Sequence, residues 1–307
     1  MYNYETTLYH EIYKKASVFP HFIFYCNDLE IHLTYFYNCD IFPTMKNITS
    51  RDNKILKHTK KLAKTAYRAK AGEFVAEGER LCAEALNFAH TMISYAILTA
   101  EFFESNRKFQ KKLDDLNISI YIVSEMLFAD IAQTTTPQGI LFVVKTPLES
   151  PRDFADISRA LILDGISEPG NMGTIIRTAD AFGFRTIILA NDCVDVYNPK
   201  VVRASMGGIF RASFVKADDI SLTMNELKSA GFQLVATALD NAQDVTEFKF
   251  NKKCALIIGS EASGVSNELL KECDATVKIP MANDAESLNA AVAAGIVMYV
   301  GRDLPKR

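Results

Sequence analysis

The sequence predicts an α/β protein: a C-terminal domain on a mostly parallel sheet, preceded by a smaller α/β domain. Three observations carry this. From residue 159 onward short apolar runs alternate with segments whose apolar residues recur at spacings of three and four, the signature of strand–helix repeats. The segment 146–153, TPLESPRD, holds two prolines and three charges and reads as a linker. Eleven of the fourteen glycines lie at or after Gly165, so close backbone approach to a ligand is expected in the C-terminal half.

Taken in order, residues 1–44 hold twelve Tyr or Phe, no glycine and no clear period. Their apolar run 19–26 is too short for a membrane span of roughly 18 residues and lacks a signal-peptide cleavage site. They read as an N-terminal extension of unknown role, either an added arm or a stretch upstream of a true start at Met45. Residues 46–70 carry nine Lys or Arg against the single acid Asp52, so a basic helix is expected over 46–71. Lys54, Lys57, Lys61, Lys64 and Arg68 form its cationic face, which is either a solvated lysine surface or a phosphate-contacting one. Strands near 74–76, 94–98, 118–123 and 139–144 and helices over 80–90, 101–113 and 125–132 complete a domain over 45–145.

In the C-terminal domain, 154–307, strands are expected at 160–165, 186–190, 213–216, 232–238, 254–259 and 275–279. Helices are expected at 172–182, 200–206, 222–230, 266–273 and 286–300. In the first unit, LILDGISEPGNMGTIIRTADAFGF, Ile175, Ile176, Ala179 and Phe182 share one helix face and Arg177 falls opposite it. Asn171, Gly173 and Arg177 would then present an amide, a bare backbone and a fixed cation at the mouth of a site, unless Arg177 is only a solvated surface arginine.

Several chemistries are excluded. Net charge is near neutral at −3, and the six cysteines are scattered without a C-x-x-C, so neither a zinc cage nor a disulfide framework is expected. No metal and no membrane contact are expected, and a reduced, cytoplasmic setting fits. No histidine lies beyond His90, which argues against Ser–His or His–metal chemistry in the C-terminal half. Gly259 to Gly264 has phosphate-loop spacing, but Val265 and Ser266 stand where that motif needs Lys and Ser/Thr. There is no G-x-G-x-x-G, which weakens a dinucleotide reading.

Three ordered stretches remain: N-x-G-x-x-x-R at 171–177, I-x-G-S-E-x-x-G at 257–264 and I-P-M-x(5)-S-L-N at 279–289. Together they resemble the three motifs of the SPOUT superfamily, and more closely its TrmH/SpoU class of RNA ribose 2′-O-methyltransferases, over about 160–303. FVAEGERLCAEAL (74–86) and TTTPQGI (134–140) are similar to the RNA substrate-binding domain often found ahead of it. The resemblance implies S-adenosylmethionine as methyl donor, an RNA ribose hydroxyl as acceptor with ribosomal RNA favoured over transfer RNA, a homodimer, and a C-terminal trefoil knot. A non-catalytic RNA-binding or ribosome-assembly protein that keeps the fold is the alternative.

Carried over by motif, Gly259, Ile279 and Leu288 would hold the donor through backbone groups, with Thr237, Ser260, Met281 and Asn289 close by. Asn171, Arg177, Glu261, Ser287 and Asn289 would form the catalytic and RNA-facing set. Ala262 and Ser263 stand where the second motif usually has a further glycine, and Ala290 and Ala291 where the third continues with Val and Ser. Guanidinium is always charged, so Arg177 is expected to grip the adjacent phosphate and lower the hydroxyl's pKa.

Overall fold

The computed structural model describes residues 25–27, 30–32, 45–147, 154–282 and 287–303. The chain divides into a unit spanning Met1–Lys46 and a larger one spanning Asn47–Arg307. In the first, β1 (Tyr25–Asn27) and β2 (Glu30–His32) pair antiparallel. The rest of the 1–44 extension lies outside the described residues.

Two larger sheets follow in the chain. The first has strand order β3 (Met45–Ile48), β6 (Ile120–Val123), β5 (Ile93–Thr99), β7 (Ile140–Lys145), β4 (Glu73–Glu77). It is mixed: β5 runs parallel to β6 but antiparallel to β7. The basic helix expected over 46–71 is instead a strand and two helices, α1 (Lys54–Lys61) and α2 (Thr65–Ala71). The polar run TSRDN breaks it, and Asn53 caps α1 by accepting the Ile55 N–H at 2.8 Å. The helix expected over 101–113 also divides, into α4 (Ala100–Ser105) and α5 (Arg107–Asp115), with α3 (Glu79–Phe88) before them and α6 (Glu125–Ile131) after.

The second sheet has seven strands, all parallel. Their order is β10 (Ser213–Lys216), β9 (Thr186–Ala190), β8 (Arg159–Asp164), β13 (Cys254–Gly259), β11 (Gln233–Thr237), β14 (Ala275–Lys278), β12 (Gln243–Asp244). Central strands covered on both faces need continuous apolar runs rather than alternation, and every residue of β8 and β13 is buried. The buried Arg159 at the foot of β8 donates to the Gly301 carbonyl at 2.7 Å and the Asn251 carbonyl at 2.9 Å. It thereby ties the end of the last helix to the far edge of the sheet from the site.

Helix α7 (Pro169–Phe182) starts three residues before the expected Met172. Proline at the first helical position needs no N–H partner, and Glu168 accepts from the Gly170 N–H. Asn171 therefore sits in the first helical turn, not in a loop. The helix ends at Gly183, φ +83°, the left-handed position a helix stop requires. Gly173 differs from its expected role. It is buried, and a Cβ there would lie 2.4 Å from Ala204 Cβ and 2.7 Å from the Val201 carbonyl oxygen. Its bare backbone admits α8 (Pro199–Ala204) against α7 and does not face a ligand; α9 (Ile220–Ser229) and α10 (Asn267–Glu272) follow in the chain.

The two sheets' layers meet along α2, β4 and α8. Arg68, expected on an RNA face, is 3% exposed and donates to Asp195 Oδ2 from Nε at 2.9 Å and Nη2 at 2.6 Å. Its Nη1 bonds the Leu62 and Ala63 carbonyls. A guanidinium with its donors so engaged holds the two halves together and is not open to RNA. Phe74 packs on Tyr197 with ring centroids 4.8 Å apart. Arg211 bridges Glu84 of α3 and Asp180 of α7.

Candidate active site

In an open parallel sheet, ligands lie beyond the carboxyl ends of the strands. A cavity of about 520 Å³ opens there, past β11, β13 and β14. Gly259 closes its floor. A Cβ at that position would fall 2.0 Å from the Gly264 carbonyl carbon and 2.2 Å from the Val265 nitrogen, so only glycine lets the strand fold back on its own loop. The loop is tightened by Gly264 N–H to the Ser260 carbonyl at 2.9 Å and by the Ser260 and Ser263 hydroxyls, 2.9 Å apart.

Eight of the expected residues line this cavity: Thr237, Gly259, Ser260, Glu261, Ile279, Met281, Ser287 and Leu288. The Thr237 hydroxyl donates to the Ile257 carbonyl at 3.3 Å, which fixes the β11 end against β13. Residues 283–286, inside the third motif, lie outside the described residues.

Asn171 and Asn289 join the cavity at its rim. Asn171 Nδ2 donates to Glu261 Oε1, and Asn289 Nδ2 donates to Asn171 Oδ1 at 3.0 Å. The Ala290 N–H reaches the same Glu261 oxygen at 3.2 Å. Asn289 Oδ1 caps α11 (Ala290–Gly301) by accepting from the Ala291 N–H at 3.0 Å and the Val292 N–H at 3.3 Å. A carboxylate here also meets the positive end of that helix. Three chain-distant motifs are thus joined by one hydrogen-bonded cluster.

Arg177 stands apart. It is exposed on α7, does not line the cavity, and has no hydrogen bond or ion pair among the described residues. Its cation is free to meet a ligand from outside. Lys54, Lys57, Lys61 and Lys64 are likewise exposed. Lys57 pairs with Asp52 at 2.7 Å, and Lys61 lies 5.7 Å from the Tyr67 ring centre.

Three contributors were given no role from sequence. Asp164, at the end of β8, is 4% exposed; it accepts the Ser266 N–H at 2.7 Å and an Asn191 side-chain N–H. It clamps the second motif's loop to the first motif's strand. Its signal was an acid ending an apolar run, which a turn residue also explains. Leu239 and Asp240, beyond β11, line the cavity with no motif to mark them. Nearby, burial raises the Cys193 thiol above its ordinary value, and its Sγ donates weakly to the Leu163 and Ala190 carbonyls. Among the described residues, no cluster of three His, Cys, Asp or Glu is placed to hold a metal ion. No helix among them is long and apolar enough to cross a membrane.

One further surface adjoins the rim. On α11, Val292, Ile296 and Tyr299 are 51%, 36% and 53% exposed, beside Thr174 and Phe182 of α7. An unpaired apolar helix face of this kind is unusual on a monomer.

Comparison with known proteins agrees with this geometry. Residues 158–299 match the SpoU rRNA Methylase family, and residues 53–141 match the MRM3-like substrate binding domain. The 23S rRNA (guanosine(2553)-2′-O)-methyltransferase of Bacillus subtilis is 35% identical over 255 residues, 83% of this chain and 98% of its own length. The 23S rRNA (uridine(2479)-2′-O)-methyltransferase of Streptomyces viridochromogenes is 31% identical over 84% of this chain and 92% of its own. Among solved structures, the AdoMet-bound rRNA methyltransferase of Sinorhizobium meliloti superposes with a TM-score of 0.74 at 30% identity, covering 84% of this chain and 97% of its own.

Proposed function

The chain belongs to the SpoU rRNA methylase family, and on that premise we propose that it transfers a methyl group from S-adenosylmethionine to a ribose 2′-hydroxyl of ribosomal RNA. The observation that carries the reading is the joining of Asn171, Glu261 and Asn289 at the rim of one cavity.

The cavity fits the donor. Its volume falls within the roughly 300–1,000 Å³ of small-molecule sites. Its lining includes Gly259, Ile279 and Leu288, whose backbone groups would hold the donor, together with the apolar residues Leu239, Ile258 and Met281. When bound, S-adenosylmethionine supplies a sulfonium-activated methyl group, so the chain's part is positioning. The Glu261 carboxylate fixes the Asn171 amide and the start of α11. Ser287 and Asn289 then stand at the cavity mouth, where an incoming ribose would be oriented. Arg177, unpaired among the described residues, grips the phosphate beside that ribose and favours the deprotonated hydroxyl by its charge. The exposed lysines of α1 and Lys64 add phosphate contacts, and the 2′-hydroxyl itself distinguishes RNA from DNA.

The apolar face of α11 supports a homodimer with this face as its seam. Thr174 and Phe182 of α7 lie on it, and Thr174 stands about one turn before Arg177 on that helix. A knot over the C-terminal segment fits the strand order: β14 lies beyond β11 from β13, yet the helix that follows it returns to pack on α7 and β13. We divide the chain into an extension 1–44, an RNA-binding domain 45–145, a linker 146–153 and a methyltransferase domain 154–307. Four of the six cysteines, Cys82, Cys193, Cys254 and Cys273, are free among the described residues and suit a reducing cytoplasm.

The test is S-adenosylmethionine calorimetry on the purified chain, followed by labelled methyl transfer to unmodified 23S rRNA and to bulk tRNA. Binding with transfer to rRNA is the expected result. Transfer to tRNA alone would move the substrate, and RNA binding without donor binding would make the chain a non-catalytic RNA-binding protein.

A further inference from the structure

A second cleft, of about 280 Å³, lies between the two sheets' layers on the side of α3 and α8. Its polar lining is weighted toward donors. Arg203 of α8 has Nη1 buried with no hydrogen-bond partner. Arg80 opens the first turn of α3 and is exposed. The Thr136 hydroxyl is exposed at the cleft edge. Gln138 Oε1 accepts the Glu79 N–H at 2.9 Å, which leaves its amide N–H groups to donate. The one carboxylate, Glu77, is engaged: it accepts the Gln133 N–H at 2.6 Å and the Thr134 hydroxyl.

A buried guanidinium nitrogen without an acceptor is costly unless a ligand supplies one. Arginine's planar fork matches phosphate oxygens in particular. The two cations come from different halves of the chain, Arg80 ahead of the linker and Arg203 after it, so one anion between them would engage both. We infer that this cleft is a phosphate-binding subsite for the backbone of the RNA substrate, held between Arg80 and Arg203 with Thr136 and Gln138. The inference rests on the proposed RNA-methyltransferase reading and adds a place where the RNA is gripped away from the reacting ribose. The grip is mechanically linked to the active site. Ala204, the residue after Arg203, is the contact that Gly173 of α7 admits, and α7 carries both Asn171 and Arg177.

The experiment compares the full chain with Arg80→Gln and Arg203→Gln, using a 23S rRNA transcript titrated at several salt concentrations, with thermal melting to confirm folding. Each variant should bind the transcript about tenfold more weakly, as expected for one lost charge-assisted contact. The log–log salt slope should fall by about 0.7–0.9 per variant. S-adenosylmethionine affinity should be unmoved, and the loss in methyl transfer should fall on the KM for RNA. Arg80 is exposed, so its variant reports even if Arg203→Gln melts early. Unchanged affinity and slope in Arg80→Gln beside an active wild type would overturn the subsite alone. A wild type that neither binds nor methylates the transcript would overturn the function reading and the subsite with it. Inorganic phosphate is the control ligand. If it binds the wild type tightly and the variants not at all, while the RNA slope stays constant, the cleft serves a small anion and the RNA assignment fails.

Discussion

The side-chain amide of Asn171 donates to Glu261 Oε1 across ninety residues of chain, and that same oxygen accepts the Ala290 N–H. One carboxylate oxygen therefore sets the spacing of a helix start, a strand-end loop and a second helix start. The relationship explains why a glutamate belongs in a loop whose other side chains are small.

Removing this hub should separate structure from chemistry. Glu261→Ala leaves the partly exposed Asn171 amide to water but takes the acceptor from the N–H of the buried Ala290, so the stability loss should be about 1–2 kcal/mol. Misplacing the reacting groups by a fraction of an ångström to an ångström should lower kcat roughly a hundredfold. Thermal melting and methyl-transfer kinetics on the same preparation check both. A normal kcat would remove Glu261 from the positioning role.

Arg177→Ala should abolish methylation while S-adenosylmethionine still binds, because Arg177 does not line the donor cavity. Lysine should rescue poorly, since a point charge lacks the planar fork. Calorimetry and single-turnover transfer separate the two effects. Loss of donor affinity with normal turnover at saturation would contradict the phosphate-clamp role.

Two glycines on one helix should respond differently to alanine. Gly173→Ala forces a methyl to within 2.4 Å of Ala204 Cβ and should cost about 1–3 kcal/mol by overpacking. Gly183→Ala has open space around it but a φ of +83°, so only backbone strain of about 1 kcal/mol applies. Chemical denaturation should rank them in that order, and the reverse order would mean α7 and α8 part easily.

Arg68→Ala should destabilise by about 3 kcal/mol, since it strips a mostly buried ion pair of one partner. A cycle with Asp195→Ala reads the coupling. Because Arg68 faces protein, its loss should leave the salt slope of RNA binding unchanged, whereas Lys54→Ala or Lys61→Ala should each lower it by about 0.7–0.9. A slope change in Arg68→Ala, with folding intact, would return it to the RNA face.

Much of the fold is legible because the parallel sheet writes itself as apolar runs. Thr186–Ala190, Ser213–Lys216 and Cys254–Gly259 form over the spans expected of them, each around an apolar centre. The basic stretch at 46–71 misled because lysine-rich helical periodicity continues through a strand and a turn that tertiary pairing decides. Gly173 misled for a related reason. A glycine beside a site and a glycine beneath a crossing helix look alike until Ala204 and Val201 are in place. The site's three motifs were visible, but Asp164 was not recognisable as their clamp. Its partners, Ser266 and Asn191, are far from it in sequence and show nothing of their pairing. The Arg203 cleft was invisible for the same reason, being assembled across the linker.

The most direct test of the account is ribose-methylation mapping of ribosomal RNA from cells with and without this chain, read as alkali-resistant linkages. The account predicts one linkage that is resistant with the wild-type chain and cleavable both in its absence and with Arg177→Ala. Identical maps in all three, or a methylated base in place of a methylated ribose, would contradict it.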